Sequence, residues 1–202
     1  MSGFLSVCIA LGMALSPTGC RRNDAATPEA SARAAEPPAQ VIEVSPVASA
    51  AYDLQFLDTM PKHHQMSIDM VRIAEGKFSD KELGRLAKKM AEDQGKENAQ
   101  MKQWREQWFP GAPNAENMQM PGMASMGNMD MSHMQTASGT ELDRMFVDMM
   151  VPHHQSGIEM ARDALAKAEH QEIRDLAEKM IAKQQKEIDE MQRWKARRSS
   201  AK

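Results

Sequence analysis

Two segments of the sequence repeat the same imidazole and thioether side chains at a constant offset of 90 residues. Residues 56–70 contain a His-His-Gln triplet that begins at His63, and residues 146–160 contain the same triplet beginning at His153. Methionines recur at matching positions, and the offset continues without a gap to Trp194. Imidazole nitrogen and thioether sulfur together suit Cu(I) and its soft analogue Ag(I), and imidazole with carboxylate also tolerates Cu(II). The repeat therefore indicates a duplicated soft-metal site.

The elements that carry these residues are predicted from spacings of three and four, which are typical of helices packed at shallow angles. Helices are expected over residues 52–75, 80–107, 141–167 and 169–196. Short links make each half an antiparallel hairpin, and one long connection joins the halves, as in ferritin-like bundles. The sequence therefore predicts an all-α, ferritin-like four-helix bundle made of two duplicated helical hairpins.

Two prolines interrupt this pattern. Pro61 and Pro152 fall inside the first helix of each half, where proline removes a backbone donor. Two outcomes are open: a short turn followed by a new helix near the histidine pair, or a bend in one helix.

A polar layer is expected in the middle of the bundle. At 100° per residue, one narrow sector of the first helix holds Met60, His63, Ser67 and Met70, with His64 and Met66 at its flanks. Folding the second helix back brings Met90, Gln94 and Glu97 near the same height, and the other half repeats the layer with Met150, His153, Met180, Gln184 and Glu187. Buried His, Gln and Glu are costly unless they are paired or bind something. The glutamates could be metal ligands or could hold the imidazole tautomer, and the seam methionines could simply fill the core.

The long connection carries a second methionine signal. The chain has 20 methionines in 202 residues, and a run of them alternates with Gly, Pro, Ser, Asn and Gln in this connection. Its candidate ligands are Met118, Met120, Met123, Met126, Met129, Met131, His133 and Met134. Such a run predicts a flexible Cu(I)-binding segment, because thioethers need no deprotonation to bind a soft cation. The alternative is a linker of biased composition.

The N-terminal region predicts export. Residues 4–15 are apolar and too short to span a bilayer as a mature helix, and a small residue precedes Cys20. The expected organisation is a signal peptide with a lipobox (1–20), an Ala/Pro-rich tether (21–50), hairpin one (51–107), a Met-rich linker (108–140) and hairpin two (141–197). The protein is therefore expected in the periplasm or on a membrane as a lipoprotein. Cys8 would be removed, which leaves no thiol pair in the mature chain.

Several function classes are disfavoured. The net charge of −3 gives no reason to expect nucleic acid as a partner. Di-iron oxidases on four-helix bundles use Glu-x-x-His motifs, whereas the residues three before the paired histidines are Met60, Pro61, Met150 and Val151. No nucleophile or phosphate-binding loop is evident.

At the repeated Phe-x-x-x-Met-x-x-His-His-Gln and Ile-Asp/Glu-Met motifs, residues 52–196 resemble the family catalogued as domain of unknown function 305. That family comprises ferritin-like four-helix bundles, many of them exported, and includes CopM-like copper-binding proteins. The resemblance implies a metal site formed by Met60, His63, His64, Met66, Met70, Met150, His153, His154 and Met160. The copies differ where Met66 is matched by Ser156 and Thr59 by Met149, so two identical sites are not expected.

The leading hypothesis is an exported copper-binding protein, not an enzyme, that sequesters or passes on Cu(I). Its expected partners are metal ions and copper efflux or carrier proteins, with a membrane contacted only through an N-terminal lipid anchor. Two alternatives stay open. One is a redox enzyme that uses Glu97, Glu187 and the histidine pairs, and the other is an envelope interaction module with a purely structural polar layer.

Overall fold

The computed structural model describes residues 51–124 and 130–199, most of which are helical. The helices are α1 (Tyr52–Ala74), α2 (Lys81–Trp108), α3 (Ser132–Thr136), α4 (Gly139–Lys167) and α5 (Gln171–Ser199). No strand occurs within these ranges, where Phe78 and Gly139 form an isolated bridge. The all-α prediction is confirmed, and the short α3 is an addition to it. None of the helices in the described ranges is long and apolar enough to cross a bilayer.

Two apolar clusters fill the interior. Cluster A joins the start of α1, the end of α2, the end of α4 and the start of α5, and includes Phe56, Met60, Met101, Met160, Ile173 and Met180. Cluster B joins the opposite ends of the same helices, and includes Met70, Leu83, Met90, Phe146, Met150, Met191 and Trp194. α1 and α5 run from cluster A to cluster B, whereas α2 and α4 run from cluster B to cluster A. Burying apolar side chains at both ends offsets the cost of a polar layer between them.

Both long proline-containing helices are continuous. α1 runs through Pro61 and α4 runs through Pro152 without an interruption. The predicted alternative of a short turn followed by a new helix is therefore wrong. Each proline removes a single backbone donor, and packing of the helix against apolar clusters on both sides of that point keeps it helical.

Equivalent aspartates tie the two halves together. The buried carboxylate of Asp143 accepts hydrogen bonds from the backbone N–H groups of Ser79 and Asp80, both at 3.1 Å. Asp53, its counterpart in the repeat, accepts from the backbone N–H groups at residues 169–170, at 3.0 and 2.8 Å. These acceptors satisfy N–H groups beside the start of α2 and of α5, which have no partner within a helix. Each half therefore fixes the second helix of the other half.

The connection between α2 and α4 is attached to the bundle. Asp58 accepts a hydrogen bond from the backbone N–H of Ala115 at 2.9 Å. Thr59 Oγ1 accepts one from the backbone N–H of Asn117, also at 2.9 Å, and Gln55 accepts one from the Asn117 side chain at 2.7 Å. These bonds hold the first part of the connection on the polar face of α1.

The methionines of the connection follow this attachment. Met120 and Met123 are buried in cluster A, and Met134 on α3 is buried in cluster B. Met118 is 53 % exposed. The prediction of a flexible methionine segment is therefore wrong for these buried residues, because their side chains complete the core. Met126 and Met129 lie outside the described residues.

Replacing Asp143 by Asn tests the tie between the halves. Asp143→Asn keeps the size of the side chain but removes the charge from its hydrogen bonds, and a lost charge-assisted bond of a buried group costs about 1–3 kcal/mol. We expect the free energy of unfolding in urea to fall by that amount. Asp148→Asn, on the same helix at a 53 % exposed side chain paired with Lys195, is the control and should cost less than about 1 kcal/mol. Equal effects of the two substitutions would show that Asp143 does not tie the halves.

Candidate metal centre

Four imidazoles form the centre of the layer between clusters A and B. His63 and His64 on α1 and His153 and His154 on α4 are all 0 % exposed. The His63 and His153 rings, which are repeat equivalents, are in contact with centroids 4.1 Å apart. His64 lies 6.2 Å from His63, and His154 lies 6.0 Å from His153. The two halves of the repeat therefore meet at the inner pair, with one further imidazole on each side.

The outer imidazoles are held by carboxylates. His64 Nε2 lies 2.9 Å from Glu97 Oε2, and His154 Nε2 lies 2.8 Å from Glu187 Oε2. An ionised carboxylate can only accept a hydrogen bond, so each Nε2 carries a hydrogen and donates it. The other ring nitrogen, Nδ1, then has a free lone pair when the ring is neutral. A carboxylate in this position fixes the tautomer and makes the imidazole a stronger metal ligand.

The inner imidazoles have the same tautomer for a different reason. His153 Nε2 lies 3.0 Å from the backbone carbonyl oxygen of His63, which can only accept. The Ser156 hydroxyl donates to the carbonyl oxygen of His153 at 2.7 Å. Its single proton is thereby used, so it accepts from His63 Nε2, also at 2.7 Å. Both inner rings therefore carry hydrogen on Nε2.

All four Nδ1 atoms therefore offer a free lone pair whenever their ring is neutral. Each is buried, and none has a hydrogen-bond partner among the described residues. A buried acceptor without a partner costs about 1–3 kcal/mol, and such groups in native proteins call for an explanation. Buried imidazole nitrogens gathered in one layer are donors that suit copper, for which imidazole is a preferred ligand.

Histidines and carboxylates do not complete a metal site by themselves. Within residues 51–124 and 130–199, no group of three His, Cys, Asp or Glu side chains is placed to hold a metal ion. The carboxylates of Glu97 and Glu187 are already engaged by imidazole Nε2 atoms. The thioethers on both sides of the layer are further donors that could complete a site.

The structure distributes these methionines differently from the sequence interpretation. Met60, Met160 and Met180 lie in cluster A, with the partly buried Met66 packed against it. Met70, Met90 and Met150 lie in cluster B. The methionines of one motif are therefore split between the two sides of the layer, and each cluster combines methionines of both halves. Met90 and Met180 were expected near the height of the histidines together with Gln94, Glu97, Gln184 and Glu187. Glu97 and Glu187 contact the outer histidines, and the two methionines lie in the apolar clusters.

The layer contains further polar groups that the motifs did not reveal. The amides of Gln94 and Gln184 and the Ser67 hydroxyl are buried with no partner among the described residues. Gly157 lies so close to Gln184 that an added Cβ would be 2.6 Å from its Oε1 and 3.0 Å from His63 Cε1. The absence of a side chain at Gly157 thus lets α4 approach the layer. In the sequence, this role was indicated only by a glycine at the position of the second copy that corresponds to Ser67 in the first copy.

The connection closes one side of the layer. Gly122 has a φ of +87°, and an added Cβ would lie 2.1 Å from the carbonyl oxygen of Ser156. A residue with a side chain could adopt neither this backbone conformation nor this approach without displacement. His133 and Met118 of the same connection are exposed and stand apart from the layer.

Burial determines the charge state of the layer. Burial lowers the pKa of His153 to about 3, and the neighbouring His154 acts in the same direction. Burial, with a contribution from His153, also lowers the pKa of His63 well below its ordinary value. For Glu97, burial alone would raise the pKa, but hydrogen bonds from His64 and Lys183 outweigh it and the pKa is lowered. The inner imidazoles are therefore neutral at physiological pH beside an ionised carboxylate.

The structure and its site define a class: an all-α protein with a duplicated, buried imidazole layer between methionine-rich clusters. The chain belongs to the DUF305 family (Domain of unknown function), whose model matches residues 53–195. No curated protein matches the sequence.

Solved structures of this family resemble the chain. CopM has been solved in Cu(I)-bound, Cu(II)-bound and Ag-bound forms. The Cu(I)-bound form is 34 % identical with a TM-score of 0.59, and the match covers 70 % of this chain and 94 % of CopM. The Cu(II)-bound form is 35 % identical with a TM-score of 0.61 and the same coverage. A DUF305 protein from Streptomyces coelicolor, provisionally described as secreted, is 27 % identical with a TM-score of 0.63 and coverages of 74 % and 94 %.

The buried imidazoles make the metal-free protein sensitive to acid. His153 has an ordinary pKa of 6.5 and a folded-state pKa of about 3, so between these values the unfolded chain binds a proton that the folded chain does not. The free energy of unfolding is therefore not reduced by this histidine above pH 6.5. On acidification below that value it falls by about 1.4 kcal/mol per pH unit for each such histidine. Urea unfolding at pH 7.5, 6 and 5 measures this slope. His153→Gln should lower this slope by the contribution of one proton, about 1.4 kcal/mol per pH unit. An unchanged slope in that variant would contradict the low pKa of His153.

Proposed function

We propose that this protein binds copper, Cu(I) foremost and Ag(I) or Cu(II) in addition, through the buried imidazole layer. The observation that carries the proposal is the common arrangement of the four rings: every Nε2 donates to the protein, and every Nδ1 is buried with no hydrogen-bond partner among the described residues. A layer built only for packing would pair these atoms, because unpaired buried acceptors are costly.

The similarity to CopM supports the same metal. At 34 % identity over 94 % of its chain, CopM is a relative that has been solved with Cu(I) bound. CopM has also been solved in Cu(II)-bound and Ag-bound forms. The imidazole nitrogens of this chain suit both oxidation states of copper, and its thioether sulfurs suit Cu(I) and Ag(I).

We assign the ligands from the donor atoms of their side chains and from their positions around the imidazole layer. The proposed donors are the Nδ1 atoms of His63, His64, His153 and His154 with sulfur atoms from Met60, Met66, Met70, Met150 and Met160. Met90 and Met180, which border the layer in the two clusters, are further candidates. Glu97 and Glu187 orient the outer imidazoles instead of binding the ion. Copper would supply a cation that pairs with the Nδ1 lone pairs, and the protein supplies buried imidazoles in fixed orientations and excludes water.

The biological role proposed is sequestration or transfer of copper outside the cytoplasm, without turnover of a substrate. Export follows from the N-terminal signal pattern, and lipidation at Cys20 is part of the same proposal; both lie outside the described residues. Metal ions are the primary partners, and copper efflux or carrier proteins would supply or receive them. The exposed Met118, with Met126, Met129, Met131 and His133 of the connection, would offer additional weak contacts for incoming Cu(I).

The histidine layer is tested by competition for Cu(I). We expect the wild-type protein to withdraw Cu(I) from a chromogenic chelator, and the His63/His64/His153/His154→Ala variant to lose this tight binding. Cu(I) should also raise the Tm of the wild type by mass action, since the site exists only in the folded protein. Circular dichroism of the variant verifies that it is helical. Equal competition by wild type and a folded variant would refute the proposal.

The methionine contribution is tested by an exchange that conserves volume. Met60 and Met150 each precede an inner histidine by one turn, so Met60→Leu/Met150→Leu removes two sulfurs at a modest cost in packing. We expect the affinity for Cu(I) to fall about tenfold or more while the affinity for Cu(II) changes little, because thioethers are soft ligands. Met145→Leu, at a partly buried methionine of α4 that is not a proposed ligand, is the matched control and should have little effect. If both variants bind Cu(I) like the wild type, these sulfurs are not ligands.

A further inference from the structure

The two carboxylates of the layer lie in different charge environments. Glu97 Oε2 accepts a hydrogen bond from His64, and its other oxygen, Oε1, accepts one from Lys183 Nζ at 2.7 Å. Glu187 accepts from His154 in the same way. Within residues 51–124 and 130–199, however, neither a lysine nor an arginine forms an ion pair with Glu187. One outer imidazole is thus held by a carboxylate that is paired with a lysine, and the other by a carboxylate without such a pair among the described residues.

The difference arises at one position of the repeat. Lys183 on α5 corresponds to Asp93 on α2, so the two copies carry opposite charges at the same place. The lysine also lies 3.7 Å from Asp93 Oδ2, and therefore bridges α5 to α2 beside the layer. The His-Glu pairs themselves are conserved between the copies at nearly equal distances, 2.9 and 2.8 Å. Lys183 also acts on Glu187 through electrostatics, but it donates its hydrogen bond to Glu97, and this contact distinguishes the two pairs.

A lysine at this place weakens a cation site in two ways. Its ammonium draws on the negative charge of Glu97, so that His64 Nδ1 becomes a poorer donor than His154 Nδ1. It also repels a cation nearby, although solvent at its 36 % exposed side chain screens part of this repulsion. Lys183 keeps its charge: although burial lowers its pKa, the hydrogen bond to Glu97 raises it further. Both effects favour the His154 side.

We propose that Lys183 makes the two sides of the layer unequal, so that the first Cu(I) binds on the His154 side and the His64 side fills second. This inference rests on the proposed copper binding. Lys183 is a positioning residue, since it contacts Glu97 and would not touch the ion. The copies of the duplicated site thereby become a tighter site and a weaker one, and the weaker site is the first to release its ion.

The order of filling can be observed directly. Protein labelled with ¹⁵N-histidine is titrated with Cu(I) held by a competing chelator, and long-range ¹H–¹⁵N spectra report the Nδ1 signal of each histidine. In the wild type we expect the His154 signal to change at about tenfold lower free Cu(I) than the His64 signal. In Lys183→Met the two signals should change together, and Lys183→Arg should restore the separation.

Two further variants separate the local effect from the net charge. Asp93→Lys/Lys183→Asp exchanges the charges between the copies and leaves the net charge unchanged, so His64 should now fill before His154. Lys186→Met removes a lysine from the same helix whose side chain is 76 % exposed and whose ion-pair partner is Glu190. It should leave the order as in the wild type. Circular dichroism and the Tm of the metal-free variants verify that each is folded.

The outcomes distinguish this inference from the proposed function. Simultaneous filling in the wild type, or an unchanged separation in folded Lys183→Met, would overturn the role of Lys183 while leaving copper binding intact. Failure of Cu(I) to change either Nδ1 signal in the wild type would overturn both. Reversal of the order in the exchanged variant would establish that the charge at this position sets the preference.

Discussion

The structure depends on the direction in which four buried imidazoles donate their hydrogen. Each Nε2 is fixed by a protein acceptor: Glu97 and Glu187 for the outer rings, and the Ser156 hydroxyl and the His63 carbonyl for the inner rings. The four Nδ1 atoms are left inside with no hydrogen-bond partner in the part of the chain that the structure describes. Unpaired groups in the interior carry a free-energy cost, which the apolar clusters on both sides offset. A cation bound by these nitrogens would remove that cost. In the metal-free protein, the layer lowers the free energy of unfolding.

The repeat supplies both inner histidines, and the positions at which its two copies differ allow these rings to lie side by side. The inner rings are repeat equivalents and lie 4.1 Å apart, so identical surroundings would present each ring with the same neighbour. Ser156, which stands where the first copy has Met66, accepts from His63, while His153 turns to a backbone carbonyl. Gly157, which stands where the first copy has Ser67, leaves space for Gln184. The central contact is thus asymmetric although both halves share one motif.

The methionine-rich connection acts as part of the core as well as a link. Its hydrogen bonds to Asp58 and Thr59 hold it on α1, and Gly122 brings its backbone against α4 at Ser156. Met120 and Met123 then enter the cluster that also contains Met60. A thioether can serve both packing and metal binding because it is apolar and polarizable. The same side chains can therefore stabilise the metal-free protein and provide soft donors next to the imidazoles.

The sequence by itself determined the four long helices, their duplication and the inward position of the histidine layer. These properties follow from local periodicity, since a spacing of three and four residues defines a helix face wherever the helix packs. The tertiary structure decided the tautomers, the division of Met60 and Met70 between two clusters, the continuity of α1 through Pro61 and the docking of the connection. Each of these depends on the rotation and register of one helix against another, which bring together residues far apart in the chain. A motif specifies which atoms can bind a metal, but only the partners of the opposite nitrogen show which lone pairs are free to do so.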